Sequence, residues 1–285
     1  MKIGVCSANS GPYATRAKLC VLAEAVEAAG VESVWVSEHV VVADPRQPPS
    51  SMQPTDPILD PVAALAFLAA RTSAARLGTG VIVLPLRTPL VLAKELATVD
   101  VLSDGRLIFG IGVGYVPHEF EAVGVPLGER GIRVEEYLAA IRAIWTHDHP
   151  SYVGQTVSFR GVQAYPRPAQ LPHPPLVMGG YAPAVLRRVV RDADGWYGWG
   201  LDPDQVLRYL GLLEEAAGQV ERRDGLGPLE ITITPPGDVS EAEAETYADV
   251  GVHRLNLMLP WHADEAQLAS FFERVVGPLV QAHDQ

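Results

Sequence analysis

The stretch GRLIFGIGVGY, residues Gly105 to Tyr115, raises the question that decides the fold. Three glycines, at 110, 112 and 114, follow an apolar run, as in the phosphate loop of a dinucleotide-binding domain. That fingerprint, however, follows the first strand, has the spacing GxGxxG and opens a helix directly. Here the spacing is GxGxG, the run is the fourth strand-like segment, and the next clear helical pattern begins some fifteen residues later. The stretch is therefore interpreted as a strand whose glycines admit either a flat ligand ring or neighbouring backbone, and the spacing leaves both explanations open.

Strand-like runs alternate with helical patterns eight times along the chain. Several of the runs are continuously apolar, which is typical of parallel strands buried on both faces. The predicted strands are 2–7, 32–39, 76–85, 106–114, 175–180, 195–200, 229–234 and 253–259. The predicted helices are 15–29, 60–73, 89–102, 129–146, 183–193, 203–219, 240–249 and 264–281. These units predict an α/β fold, a (β/α)8 TIM barrel forming one domain over 1–285, with an insertion segment at about 147–174 before strand five.

Composition narrows the class of protein. The formal net charge is −12 and no stripe of Lys and Arg is present, which argues against nucleic acid and anionic membranes as partners. The sequence contains no run of eighteen apolar residues, so no membrane span is expected. The first residues lack the features of a signal peptide. The two cysteines, Cys6 and Cys20, give no disulfide framework or ligand spacing, so no metal is predicted. A cytoplasmic enzyme acting on a small molecule is expected.

In a barrel of this kind, functional side chains lie at the carboxyl ends of the strands. Strand two is predicted to end in Glu38 and His39, and a histidine there can exchange a proton near neutral pH. A structural histidine bonded to backbone is the alternative. Strand four is predicted to end at Val113–Tyr115, with His118 and Glu119 just beyond.

Strands five and six supply a second group of candidates. Gly179 and Gly180 precede Tyr181 and a helix, so their amides suit a phosphate at the positive end of the helix dipole, although a plain tight turn is also possible. Trp196 and Trp199 fit the core, the rim or a ring-binding wall. No GxSxG, HExxH or zinc-ligand spacing is present, which disfavours hydrolytic and metal chemistry.

Three stretches together resemble a known family. They are AGVESVWVSEH (29–39), the segment from RLGTGVIVLP (76–85) through GVPLGERGIRVEEYLAAIRAIW (124–145), and PPLVMGGYAPAVLRRVVRDADGW (174–196). Over roughly residues 2–200 the chain resembles the bacterial luciferase-like monooxygenase family, and within it the subgroup of F420-dependent oxidoreductases. The resemblance implies a TIM barrel that binds the deazaflavin F420, or FMN, in its mouth, and a non-proline cis peptide on strand three at Gly80–Val81.

Candidate site residues follow from the strand ends together with this resemblance. The candidate cofactor contacts are His39, Gly80, Val81, Val113, Gly114, Gly179, Gly180, Tyr181 and Trp196. The candidate catalytic residues are His39 as first proton donor, Tyr115 as second, and Glu38 as support for His39 or for a backbone amide. Sugar-phosphate dehydrogenases of the family carry a Trp near Ala43 and a Glu at the position of Tyr115, so sugar-phosphate oxidation is not expected here.

Three functions are carried forward from the resemblance. In the first, the enzyme transfers a hydride between the C5 atom of F420 and a small organic substrate, either reducing a C=C or C=N bond or oxidising an alcohol. The second is an FMN-dependent monooxygenase served by a separate reductase. The third is a cofactor-free ligand-binding barrel. The anionic tail of F420 calls for cations near the Gly–Gly loop, and Arg187, Arg188 and Arg191 either supply them or are merely solvated.

A homodimer is also implied by the resemblance, because family members commonly pair through helices two and three. The apolar run VAALAFLAA at 62–70 is compatible with such an interface and equally with a core helix.

Overall fold

The computed structural model describes residues 1–50, 52–261 and 263–283. Its strands are β1 Lys2–Cys6, β2 Ser33–Val36, β3 Arg76–Thr79, β4 Ile82–Val83, β5 Leu107–Gly112, β6 Tyr152–Val153, β7 Ser158–Phe159, β8 Leu176–Gly179, β9 Gly195–Trp199, β10 Glu230–Thr234 and β11 Arg254–Met258. Its helices are α1 Arg16–Ala28, α2 Pro61–Ala69, α3 Pro89–Leu102, α4 Pro117–Val123, α5 Arg130–Thr146, α6 Pro183–Asp192, α7 Pro203–Ala217, α8 Glu241–Asp249, α9 Glu265–Phe271 and α10 Gly277–His283.

Eight parallel strands close into a barrel. The ladder runs from β2 through β1, β11, β10, β9 and β8 to β5. β3 pairs with β2 on one side and with β5 on the other, which closes the ring. β4 continues the line of β3 and also pairs with β5. The predicted TIM barrel is confirmed, and the aromatic–glycine run of strand six is indeed a barrel strand.

Helix starts follow the capping residues that the sequence contains. Asp60 accepts hydrogen bonds from the backbone N–H groups of Val62 and Ala63, both at 3.0 Å, and Pro61 occupies the first turn of α2 as predicted. Reciprocal capping boxes open α7, α8 and α9. Most apolar side chains of α2 are buried, so core packing accounts for the run 62–70. Among the helices that the structure describes, none is both long and apolar enough to cross a bilayer.

The structure corrects several predicted boundaries. Strand two ends at Val36, so Glu38 and His39 lie in the segment that follows it. Strand three is divided at Gly80–Val81 into β3 and β4. Helix α4 was not predicted, since its seven residues are too few for a clear apolar period. The insertion contains the short antiparallel hairpin of β6 and β7, and the predicted last helix is interrupted by a π-helical turn at Phe272–Val276.

The glycines of the opening stretch are explained by the neighbouring strand. A Cβ atom at Gly110 would lie 1.8 Å from the carbonyl oxygen of Thr79, and one at Gly112 would lie 2.7 Å from Cγ2 of Val81. Gly114 has a positive φ of 76°, and a Cβ there would lie 2.6 Å from Cγ1 of Val83. Close approach of β5 to the β3–β4 line therefore requires glycine at these positions whether or not a ligand ring also lies there.

The barrel interior combines an apolar layer with a buried charged group near the amino ends of the strands. Trp35 and Tyr197 stack with ring centroids 5.6 Å apart. Arg254 is fully buried, lies over the Trp35 ring, and pairs with the carboxylates of Glu32 and Glu230. Burial acts to raise the pKa of both carboxyls, but contacts with Arg254, and at Glu230 also with Lys2, outweigh it and hold both pKa values below their ordinary range.

Candidate active site

The carboxyl ends of the strands bring most of the predicted residues to one rim. His39 follows β2, and the Gly80–Val81 peptide, which is cis as the resemblance implied, joins β3 to β4. Val113, Gly114 and Tyr115 follow β5, and Gly179 ends β8. Trp199 at the end of β9, one of whose expected positions was the rim, and Met258 at the end of β11, which the sequence did not single out, complete the ring.

A buried carboxylate orients His39. The Glu119 side chain, 2% exposed, comes from α4, and its Oε1 lies 3.2 Å from His39 Nδ1. The same oxygen accepts a hydrogen bond from the backbone N–H of Val40 at 3.0 Å. Because an ionised carboxylate only accepts, Nδ1 carries the donated proton. The other ring nitrogen, Nε2, has no hydrogen-bond partner among the residues that the structure describes, so it is the atom left for a ligand.

Tyr115 lies beside this pair. Its ring meets the imidazole edge to face, with centroids 6.4 Å apart, and the residue is 58% exposed. Partial burial, with the charge of Glu119 adding to it, raises the pKa of the Tyr115 hydroxyl above its ordinary value. The hydroxyl therefore keeps its proton at neutral pH and is a hydrogen-bond donor at the rim.

Glu38 has a structural position instead of the catalytic one considered above. Its side chain is almost fully buried; Oε2 accepts from the backbone N–H of Val83 at 2.6 Å, and Oε1 accepts from Nε of Arg87 at 2.6 Å. Arg87 in turn pairs with Asp60 at the start of α2. Both carboxylate oxygens are engaged and neither contacts His39. Glu38 thus supports a backbone amide, one of the two supporting roles expected, and fixes β4 just after the cis peptide.

The floor of the mouth is formed by side chains that the sequence did not single out. The Tyr197 hydroxyl lies 2.8 Å from Oγ1 of Thr234 and 3.5 Å from Nδ2 of Asn256. A Cβ at Gly80 would lie 3.3 Å from the same hydroxyl oxygen, so the phenol lies directly beneath the cis segment. Burial raises the pKa of Tyr197 well above its ordinary value, and it raises the pKa of the nearby Cys6 thiol to about 12. Neither group is an anionic nucleophile at neutral pH.

Trp196 belongs to the core and not to the mouth. It is fully buried on the outer face of β9, where its ring packs against Tyr181 and Tyr209. Its Nε1–H donates to the carbonyl oxygen of Gly180 at 3.0 Å. Strand alternation gives the reason, because Tyr197 occupies the inward face. The structure thus corrects the expectation of a cofactor contact: Trp196 instead holds the Gly–Gly loop in place.

The Gly–Gly loop leads into an uncapped helix. Gly180 has a φ of 131°, and no side chain caps α6 at Ala182. A Cβ at Gly179 would lie 3.3 Å from Cγ1 of Val81, so this glycine faces the cis segment. The Tyr181 hydroxyl donates to the carbonyl oxygen of Trp199 at 2.7 Å and accepts from its backbone N–H at 2.6 Å. This places the phenol of Tyr181 against the rim.

Large apolar side chains remain exposed around this rim. Trp199 is 41% exposed, Met258 38% and Tyr181 37%. Together with Tyr115 they surround a mouth whose deeper polar atoms are few and specific, which is the usual make-up of a small-molecule site. Among the described residues, no group of three or more His, Cys, Asp or Glu side chains is arranged to hold a metal ion.

The three arginines of α6 have partners away from the loop. Arg188 Nε donates to Glu135 at 2.7 Å, and Arg191 pairs with Asp192 at 2.7 Å. Arg187 makes one long contact, 3.4 Å, with Gln219. These side chains therefore do not form the cationic groove that an anionic cofactor tail requires beside Gly179–Gly180.

The family model for luciferase-like monooxygenases matches residues 1–281, well beyond the stretches that carried the resemblance. The chain belongs to the luciferase-like monooxygenase family. Two of its relatives are an uncharacterized protein of Mycobacterium tuberculosis, 33% identical over 270 residues (90% of this chain, 92% of that one), and the F420-dependent glucose-6-phosphate dehydrogenase of Kineococcus radiotolerans, 33% identical over 213 residues (72% and 60%). The FMNH(2)-dependent dimethylsulfone monooxygenase of Pseudomonas putida is 36% identical over 113 residues (39% and 31%).

Solved structures share the fold of this luciferase-like chain. A monooxygenase from Streptomyces bottropensis superposes with a TM-score of 0.80 at 24% identity, covering all of both chains. An F420-dependent secondary alcohol dehydrogenase superposes with a TM-score of 0.78 at 16% identity, covering 98% of each. At these identities the likeness concerns the barrel alone.

Proposed function

We propose that this protein is an oxidoreductase that binds F420 in the barrel mouth and exchanges a hydride with a small organic substrate. The observation that carries the proposal is the His39–Glu119 pair, which lies at the same strand-end rim as the cis Gly80–Val81 peptide. It presents one unpartnered imidazole nitrogen at a rim of exposed aromatic and apolar side chains. That arrangement suits a planar cofactor and a proton transfer next to it.

The residues present fit a flavin-type ring with a phosphate-bearing tail. Bare backbone at Gly80 and Gly179 allows close approach on one side, and Trp199 and Met258 offer apolar surface on the other. The uncapped amino end of α6 after Gly180 suits the phosphate. When bound, F420 supplies two-electron hydride chemistry at C5.

The chain's own residues handle the proton. His39 Nε2 gives a proton to the substrate, or takes one from it, while Glu119 holds the opposite nitrogen and stabilises the charged imidazole. The Tyr115 hydroxyl, which keeps its proton, orients a substrate oxygen or nitrogen. Substrates are therefore activated C=C or C=N compounds, or alcohols. Sugar phosphates are not expected, because family members that oxidise them carry Glu at the position of Tyr115 and Trp near Ala43.

The choice of F420 over FMN depends on the relatives. The F420-dependent glucose-6-phosphate dehydrogenase matches 72% of this chain, whereas the FMNH(2)-dependent monooxygenase matches 39%. The arginines of α6 give F420 no additional support, since they pair elsewhere. An FMN-dependent monooxygenase served by a separate reductase is thus the second candidate, and a cofactor-free barrel is the third.

Location and assembly complete the proposal. We expect a cytoplasmic protein that forms a homodimer through α2 and α3, since Val91 and Leu102 of α3 are 54% and 60% exposed. A monomeric mass by light scattering at micromolar concentration would contradict the dimer.

A cofactor titration tests the function. Purified protein is titrated with F420 and with FMN, each oxidised and reduced, and binding is followed by fluorescence. Tight F420 binding with weak FMN binding supports the proposal, tight FMN binding selects the monooxygenase, and binding of neither selects the cofactor-free barrel. His39→Gln should retain cofactor affinity while losing turnover. His149→Gln, on the exposed surface, is its control and should retain both.

A further inference from the structure

We propose a second ligand site, specific for a phosphate group, on the outer wall of the barrel between α5 and α6. A cleft of about 90 Å³ lies there, with four guanidinium groups at its edge. They belong to Arg142 of α5, Arg188 and Arg191 of α6, and Arg223 beyond α7. The proposal does not depend on the function of the barrel mouth.

The cleft carries uncompensated positive charge. The carboxylates that line it are those of Asp192 and Glu135, so four guanidinium groups face two carboxylates. Asp192 accepts from Arg191 and Arg223, at 2.8 and 2.9 Å, and lies 3.5 Å from Arg142. The chain as a whole has a net charge of −12, so this local positive excess runs against its overall balance.

Arg142 has one side-chain donor without an acceptor in the part of the chain that the structure describes. Its side chain is 12% exposed, and Nη2 donates to the backbone carbonyl oxygen of Asp192. Its Nε is buried and lacks a hydrogen-bond partner among the described residues. A buried donor without an acceptor is costly, and a small shift of the Arg142 side chain toward an oxyanion in the cleft would remove that cost. Burial, and then the nearby charge of Arg223, lower the pKa of Arg142, while the charges of Asp192 and Asp194 act to raise it.

Geometry selects the class of ligand. Guanidinium groups bind phosphate oxygens through paired, charge-assisted hydrogen bonds, and Arg is preferred for planar recognition of such anions. The cleft holds several times the roughly 10–15 Å³ that one water needs, which suits one tetrahedral oxyanion but not a large organic acid. The ligand is therefore inorganic phosphate or the terminal phosphate of a small monoester.

The site is separate from the mouth. Met178 of β8 lines the cleft, whereas its neighbour Val177 packs with Trp35 and Tyr197 inside the barrel. The two sites thus lie on opposite faces of the same strand.

Thermal unfolding and calorimetry test the proposal. In phosphate-free buffer, inorganic phosphate should raise the Tm of the full chain more than sodium chloride of equal ionic strength. Arg223→Gln should weaken phosphate binding about tenfold, since it removes one charge-assisted contact from a side chain that is 55% exposed and tolerant of change. Arg142→Gln should weaken it further, and Arg208→Gln, on the exposed face of α7, should leave it unchanged.

Binding of glycerol phosphate distinguishes free inorganic phosphate from a phosphate monoester as the ligand. Binding as tight as that of inorganic phosphate indicates that a monoester is accommodated, and much weaker binding indicates free phosphate. The proposal is overturned if phosphate raises the Tm no more than chloride does, or if Arg208→Gln weakens binding as much as Arg223→Gln. Either result would mean that the arginines form only an internal network around Asp192.

Discussion

Substituting Glu119 by Gln tests how the charge of Glu119 acts on His39 without disrupting the packing of the rim. Glu119 Oε1 accepts from His39 Nδ1 at 3.2 Å and from the backbone N–H of Val40 at 3.0 Å. A glutamine amide oxygen can replace it without leaving the Val40 N–H unpaired. What is lost is the negative charge next to the imidazole.

The expected size of the effect follows from that charge. A hydrogen bond to a charged partner contributes about 1.5–3 kcal/mol and a neutral one about 0.5–1.5 kcal/mol. The difference, about 1–1.5 kcal/mol, corresponds to a roughly tenfold loss in kcat/KM if the charged imidazole forms in the transition state. Removing the imidazole itself, in His39→Gln, should cost about 10²–10⁴ because it removes the acid–base group. Cofactor affinity should be nearly unchanged in both variants.

The assay is a double-mutant cycle on turnover of the bound cofactor, with a substrate drawn from a screen of enones, imines and alcohols. If Glu119 acts through His39, Glu119→Gln has almost no further effect in the His39→Gln protein. Nitrogen NMR of histidine-labelled protein gives a readout that needs no substrate, since the wild type should carry its proton on Nδ1 and the Glu119→Gln variant should populate both tautomers. An undiminished tenfold loss in the His39→Gln background would refute the reasoning.

Three further predictions concern the scaffold, each measured by urea denaturation. Gly110→Ala should destabilise the fold by at least about 3 kcal/mol, because its Cβ would lie 1.8 Å from the Thr79 carbonyl oxygen. Arg254→Met should cost about 3–5 kcal/mol, since it removes the guanidinium that pairs with Glu32 and leaves Glu230 with Lys2 as its only remaining ion-pair partner among the described residues. The wild type should lose stability as pH falls below the ordinary carboxyl pKa of 4.5, because carboxyls whose pKa is lowered by folding stabilise the fold above that value and lose the contribution as they are protonated.

Controls accompany these measurements. Gly211→Ala, on the exposed face of α7 with no atom within 4 Å of the added Cβ, should stabilise the fold by up to about 1 kcal/mol. Equal effects of the two glycine variants would contradict the steric argument. Arg254→Met should also reduce the loss of unfolding free energy that the wild type shows as pH falls below 4.5. If the variant loses as much as the wild type, other carboxyls cause that pH dependence.

The barrel could be predicted from the sequence because its signals are local. Apolar strands, Pro-led helices and the capping residue Asp60 are each visible within a few positions, and the alternation of strand with helix recurs eight times. Helix α4 was not predicted because seven residues give too little periodicity, although Pro117 as its first residue and Gly124 after it mark its ends. Those two residues were the available signal.

The contacts within the site could not be predicted, because they join distant segments. Glu119 lies 80 positions from His39, and no spacing rule connects them. The adjacent Glu38, close in sequence, turns out to bind Val83 and Arg87. In the same way the sequence did not decide between Trp196 and Tyr197, since alternation says that they face opposite ways but only the closed barrel says which one faces inward.

The glycines of the opening stretch connect the scaffold to the candidate site. Val81 fits between one of them and a glycine of the next strand, with Cγ2 directed at Gly112 of β5 and Cγ1 at Gly179 of β8. Two residues after Val81, the backbone N–H of Val83 donates to Glu38. The Tyr197 hydroxyl lies beneath Gly80. The cis segment is therefore positioned by strand packing from three directions, independently of any ligand. The glycines that let the strands pack closely are therefore the same residues that would leave bare backbone for a cofactor ring near His39. For this reason the spacing of the glycines alone could not distinguish a packing role from a binding role.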